Sequence, residues 1–293
     1  MQLIRAATLC VSDLARAQEA YTRWLDYRSV ESGAVTQTQA ENWNATNLTG
    51  QPYVLLAPAS GRTSYLRLIE QPATPDYRPL RHYGWAAVEI CIEDTLTLHE
   101  KLKASPFDII GPPKPLDGMD TIFPMQVRGL DGEMLYLTQI RGDLPGHSLP
   151  RAQSFVDHPF ILVMACQDME ASGAWLTETL HLDKGESLAL TYSMINKTFD
   201  LPADTLHRIA TLSHETDICI EIDQYPDTAS PMPRSTGWLP PAFSMASFIH
   251  PDFAALIART GATNYTSPSA LYGGKRACIL TSPDGALIEL LEA

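Results

Sequence analysis

Three stretches of the chain repeat one pattern of apolar and polar positions. Thr8-Leu-Cys-Val-Ser-Asp13, Glu89-Ile-Cys-Ile-Glu-Asp94 and Val163-Met-Ala-Cys-Gln-Asp168 each run as an apolar, strand-like segment into an Asp. Each is followed by apolar residues at helical spacing: Leu14, Ala17, Tyr21, Trp24 and Leu25; then Leu96, Leu98 and Leu102; then Ala171, Ala174, Trp175 and Leu180. An Asp at that junction is a natural helix N-cap, because its carboxylate accepts from the first free amides. A second motif also recurs. Leu130-Asp-Gly-Glu-Met-Leu-Tyr-Leu137 matches Pro283-Asp-Gly-Ala-Leu-Ile-Glu-Leu290, a tight turn feeding a strand. Both markers return after about 154 residues, which identifies a duplication.

Each half divides again. The first unit predicts a strand over 3–11, a helix over 13–25 and strands over 27–35, 52–58 and 64–70. The second predicts a strand over 85–92, a helix over 94–104 and strands that close over 133–140. The third predicts a strand over 159–166, a helix over 169–180 and strands over 186–194, 207–213 and 217–224. The fourth predicts a strand over 243–249, a helix over 251–260 and strands over 276–281 and 285–292. The order is βαβββ four times. Pro145, Gly146 and Pro150 mark a linker. The expected organisation is an N-terminal half over 1–141, a linker over 142–157 and a C-terminal half over 158–293.

Composition narrows the function classes. The chain has 293 residues, 45 % hydrophobic and 19 % charged, enough to fill a core. Its net charge of −13 without a basic stripe argues against nucleic acid as a partner. No uncharged apolar run approaches the roughly 20 residues needed to cross a bilayer, and no secretory apolar region opens the chain. The five cysteines form no Cys-x-x-Cys pair and read as reduced thiols, so the expected location is the cytoplasm.

The four βαβββ units, the strand–Asp–helix opening and the closing Asp-Gly-x-x-(Ile/Leu)-x-Leu resemble the vicinal oxygen chelate superfamily. That superfamily includes glyoxalase I, extradiol dioxygenases and bleomycin-binding proteins. The resemblance implies an α+β fold in which units pair into two cup-shaped mixed sheets. It also implies a divalent metal in the cup, held by a His or Gln on a first strand and a Glu on a last strand. Those first-strand positions are Ala6, Ala87 and Ile161, with Ser244 nearest in the fourth unit; the last-strand positions are Arg67, Tyr136, Glu221 and Glu289. No imidazole stands at any of them. A weakly held divalent cation on Glu221 and Glu289 is the most such a set would keep, and ring-cleaving iron chemistry is disfavoured.

If the units of each half pair, strand alternation gathers Arg67, Trp85, Glu89, Cys91 and Tyr136 into an N-terminal cup. Arg67 and Glu89 would then pair with each other or grip a ligand. In a C-terminal cup, Glu221 and Glu289 would approach each other, opposite Ser244. Close carboxyls in an apolar cup split into an acid and a base, which suits a lyase or isomerase acting beside a carbonyl. His214, at the turn before the Glu221 strand, is an alternative base, and Tyr272, Lys275 and Arg276 form a candidate lid. The expected partner is a small carbonyl-bearing or aromatic molecule, and the expected state a monomer or homodimer. The competing reading is metal-free binding or sequestration without chemistry.

Overall fold

The computed structural model describes residues 3–116 and 118–293. The first unit is built from β1 (Ile4–Val11), α1 (Leu14–Trp24), β2 (Arg28–Ala34), α2 (Gln37–Asn42), β3 (Pro52–Ala57) and β4 (Tyr65–Glu70). The second contains β5 (Gly84–Ile92), α3 (Thr95–Leu102), β6 (Asp108–Gly111), β7 (Ile122–Arg128) and β8 (Met134–Ile140). The third contains β9 (Val156–Cys166), α4 (Met169–Leu180), β10 (Asp183–Lys184), β11 (Leu188–Thr191), α5 (Ser193–Thr198), β12 (Leu206–His214) and β13 (Asp217–Gln224). The fourth contains β14 (Ala242–His250), α6 (Phe253–Thr260), β15 (Asn264–Thr266), β16 (Arg276–Thr281) and β17 (Leu287–Glu292).

Three of the four Asp caps are those the sequence predicts. Asp13, Asp94 and Asp168 accept from amides of the first turn of α1, α3 and α4, and Asp252 does the same for α6. The duplicated Asp-Gly turns carry Gly132 at φ +88° and Gly285 at φ +83°. Their aspartates reach the preceding unit: Asp131 accepts from the Ser12 amide at 2.9 Å and Asp284 from the Gln167 amide at 2.7 Å.

The pairing of units differs from the expectation. One sheet has eight strands in the order β15-β16-β17-β14-β1-β4-β3-β2, so it joins the first unit to the fourth. The other has nine strands, β10-β12-β13-β9-β5-β8-β7-β6 with β11 on β12, and joins the second unit to the third. The seams are antiparallel first strands, β1 against β14 and β5 against β9. Each sheet therefore draws on both halves of the chain.

One core serves both sheets. Val88, Ile90 and Leu162 of one sheet and Leu9, Ala246 and Phe248 of the other share a cluster with the inner faces of α1, α3, α4 and α6. Tyr21 on α1 donates to the Glu133 carboxyl beside β8, and the Trp85 indole donates to the Leu287 carbonyl at 2.7 Å. The opposite faces form two separate clusters, one per sheet. These are the two cups, and both turn away from the shared core.

Candidate functional site

The first cup, between the first and fourth units, is closed by its own side chains. β1 pairs Thr8 with Arg67, and β14 pairs Ser247 with Glu289, so Arg67 and Glu289 occupy equivalent places in the two units. The Arg67 Nη2 lies 3.0 Å from Glu289 Oε2, with both side chains buried. The guanidinium also donates to the Thr8 hydroxyl at 2.9 Å and the Tyr272 hydroxyl at 2.8 Å, and stacks 4.8 Å from the Trp43 ring. Glu289 accepts further from Ser247, Tyr265 and Tyr272. Burial alone would raise its pKa, but the Arg67 charge and the three hydroxyls outweigh burial and hold it below the usual carboxylate range. Trp43, Ala45 and Leu48, which follow α2, fill the remaining space.

The second cup, between the second and third units, is different. Small residues of β5 and β9, Ala87, Val163 and Ala165, form its floor. Around them stand Tyr136 on β8, Phe199 after α5, and Tyr225 after β13. Tyr192, at the start of α5, and Glu221 are partly exposed, whereas Glu89, Tyr136 and Asp223 are buried. Three carboxyls face inward. Glu221 and Asp223 lie two residues apart on β13, paired with Val163 and Ala165 of β9. Glu89 lies on β5, across β9 from them, and pairs with Ile161, two residues before the Val163 that faces Glu221; two strand spacings and that offset put their backbones roughly 12 Å apart.

Among the described residues no cationic side chain neutralises this group. Among the described residues, Glu89, Glu221 and Asp223 form no ion pair. Glu89 accepts from the Thr138 hydroxyl at 2.6 Å, and Asp223 Oδ1 is buried without any hydrogen-bond partner. Burial, reinforced by the Glu221 charge, pushes Glu89 up to about 8 against the lowering effect of Thr138. Burial raises Asp223 to about 7, where the hydrogen bond from Glu221 lowers it and the Glu89 charge raises it. Glu221 is raised well above its ordinary value by burial and by the charge and hydrogen bond of Asp223. Near neutral pH, Glu221 and Asp223 therefore titrate as a pair, and the three acids retain protons that ordinary carboxyls have lost.

Several sequence expectations are corrected. Arg67 does not face Glu89, and Glu221 does not approach Glu289, because the partners lie on different sheets. Trp85 leaves the cup: the β5–β9 register shifts between Trp85 and Ala87, and its ring packs on Phe243 at 5.1 Å in the shared core. Ser244 is the residue passed over where the β1–β14 register shifts; its hydroxyl turns back to the Pro240 carbonyl, and Met245 takes the first-strand position. Tyr272 lies inside the first cup rather than over it, while Lys275 and Arg276 bind Ala293 and Glu292. His214 ends β12 beside Asp217, three residues from Thr211, the partner of Glu221. That is roughly 10 Å along the strand, too far to join the carboxyls. Glu89, Tyr136 and Glu221 do share one cup.

The donor set does not suit the superfamily's metal. The ligand positions of the first cup are Ala6, Met245, Arg67 and Glu289, and the guanidinium already occupies the carboxylate. Those of the second are Ala87, Ile161, Tyr136 and Glu221. Among the described residues no three His, Cys, Asp or Glu side chains are arranged to hold an ion. Asp223 and Tyr192 were not among the sequence candidates. Asp223 had a signal, a second acid two positions from Glu221 on one strand face; Tyr192 had none, being read as part of a strand.

No protein-family model and no curated protein matches the chain. Solved structures do. Glyoxalase I from Zea mays superposes with a TM-score of 0.61 at 16 % identity, over 99 % of this chain and 92 % of that one. A putative dioxygenase from Bacillus subtilis superposes with a TM-score of 0.64 at 10 % identity, over 99 % and 85 %. The cppA protein from Streptococcus pneumoniae superposes with a TM-score of 0.51 at 11 % identity, over 100 % and 99 %.

Proposed function

We propose that this protein, which has the glyoxalase-like fold of the vicinal oxygen chelate superfamily, binds a small molecule in its second cup and moves a proton on it. The observation that carries this reading is the carboxyl group of Asp223, buried in an aromatic cup beside Glu221 with one oxygen unpartnered. Its chemistry is of the lyase or isomerase type. The Asp223 carboxylate takes a proton from a carbon beside a carbonyl. Glu221 gives its proton to the carbonyl oxygen, so an α-hydroxy carbonyl compound becomes an enediol; Asp223 then returns its proton to the former carbonyl carbon while Glu221 takes back the proton of the other hydroxyl as the new carbonyl forms. Glu89 is a second neutral donor on the opposite wall. Glu289, committed to Arg67, has no part in this scheme.

The test is deuterium uptake. Small aldehydes and α-hydroxy ketones incubated with the protein in heavy water should exchange the proton beside the carbonyl. Asp223→Asn should abolish that exchange while leaving binding of these uncharged carbonyl compounds within a few-fold. Binding without exchange in the unaltered protein would instead support sequestration, a reading favoured by the cup's aromatic lining of Tyr136, Tyr192 and Phe199. The five free, buried cysteines suit a reducing compartment such as the cytoplasm. Each sheet completes its unit pairing within one chain, which favours a monomer.

A further inference from the structure

Resting on the reading of the second cup as the ligand site, we infer that its ligand is a compact organic cation, a primary ammonium or guanidinium group on an apolar or aromatic body. The first cup is the internal comparison. There the carboxylate of Glu289 is matched by a guanidinium supplied by the chain, seated on the Trp43 ring and hydrogen-bonded to Tyr272. The second cup has the same kinds of wall, with Tyr136, Tyr192, Tyr225 and Phe199 around the carboxyls. The position equivalent to Arg67 holds Tyr136, which carries no charge, and the cup holds three acids instead of one.

An acidic, aromatic cup discriminates by charge. A carboxylate ligand would have to enter a poorly solvated space whose acids offer it no cationic partner, and would be rejected. A neutral ligand would leave the Asp223 oxygen without a strong donor. An ammonium supplies three donors and a guanidinium five, and either gains from the ring faces as Arg67 does on Trp43. Glu221 and Tyr192 are partly exposed, so an acid and an aromatic ring of this group can be reached from solvent. Because these acids retain protons that ordinary carboxyls have lost near neutral pH, seating a cation must expel protons from the cup.

Benzylamine, benzyl alcohol and benzoate present one ring with three charges, and titration of the whole protein with each tests the inference. Benzylamine should bind at least ten-fold more tightly than benzyl alcohol, and benzoate more weakly still. Its binding heat should depend on buffer ionisation in the sense of proton release, and NMR signals of Tyr136 and Tyr192 should shift. Asp223→Asn should weaken benzylamine ten-fold or more and leave benzyl alcohol within two-fold. Glu89→Gln serves as the second variant should Asp223→Asn misfold. Benzyl alcohol or benzoate binding in the cup as tightly as benzylamine would overturn the cation inference and leave the cup as the site. Failure of all three to perturb Tyr136 and Tyr192 would overturn both.

Discussion

Arg67 Nη2 stands 3.0 Å from Glu289 Oε2, where two units meet face to face at equivalent last-strand positions. The ion pair occupies the heart of the first cup, and its equivalent in the second, Tyr136 with Glu221, carries no positive charge. The two cups share one geometry and differ in whether the cation is built in.

Removing either partner of the first pair strands a buried charge. Arg67→Met and Glu289→Gln are each expected to destabilise the protein by about 3–5 kcal/mol, and the double variant by clearly less than their sum. Urea unfolding of the four proteins measures this. A loss below 1 kcal/mol for Glu289→Gln would show that the pair contributes little.

Stability should fall as pH rises from about 4 to about 8 and level off above that. Glu89 is raised to about 8, and Asp223 and Glu133 to about 7, burial being the first cause for each. A carboxyl whose folded pKa is raised binds its proton more tightly when folded. Its stabilisation is therefore complete below the unfolded value of about 4.3 for Glu and is lost as pH passes through the folded value. The urea midpoint should drop between pH 5 and pH 9, and Glu89→Gln should flatten the drop. A midpoint that holds constant across that range contradicts the assignment.

The duplicated turns offer a paired test of strain against clash. Gly132 and Gly285 share a positive φ, so alanine at either costs about 1–2 kcal/mol in backbone strain. A Cβ at Gly132 would also lie 2.9 Å from the Tyr77 ring and 3.0 Å from Pro79, whereas at Gly285 nothing lies within 4 Å. Thermal unfolding should rank Gly132→Ala as the more damaging, and the reverse order would mean that Tyr77 yields freely.

Trp43→Ala should open the first cup without touching the second. Its ring is 1 % exposed, its indole donates to Tyr265 at 2.8 Å, and its face carries Arg67. The expected cost is about 3–5 kcal/mol. Benzylamine affinity should stay within two-fold, and a larger change would mean that the ligand sits in the first cup.

Local signals in the sequence located most of the elements. Asp13, Asp94 and Asp168 mark helix starts because a cap is a contact over three residues, and the Asp-Gly turns are equally local. The partnership of units was not legible. It depends on seams such as Ala7 against Ala246 and on contacts such as Trp85 with Leu287, hundreds of residues apart in the chain. One-residue register shifts moved Trp85 and Ser244 off the faces that strict alternation assigns them. The acid cluster was half visible. Glu89, Tyr136 and Glu221 were candidates individually, but only the β5–β9 seam brings them together. The plugs of the first cup, α2 and Trp43, escaped notice because a six-residue helix has too little periodicity to announce itself.

The sheet order also sets a schedule for biosynthesis. Units two and three are neighbours in the chain, so their sheet can close as soon as both have emerged. Unit one must wait for unit four, which two further units separate from it in the chain. Until then the edge of β1 stands unpaired. The arrangement is nested like parentheses, the inner pair closing before the outer. A break in the 142–155 stretch would therefore yield fragments that each carry half of both sheets, able to regain the fold only by recombining.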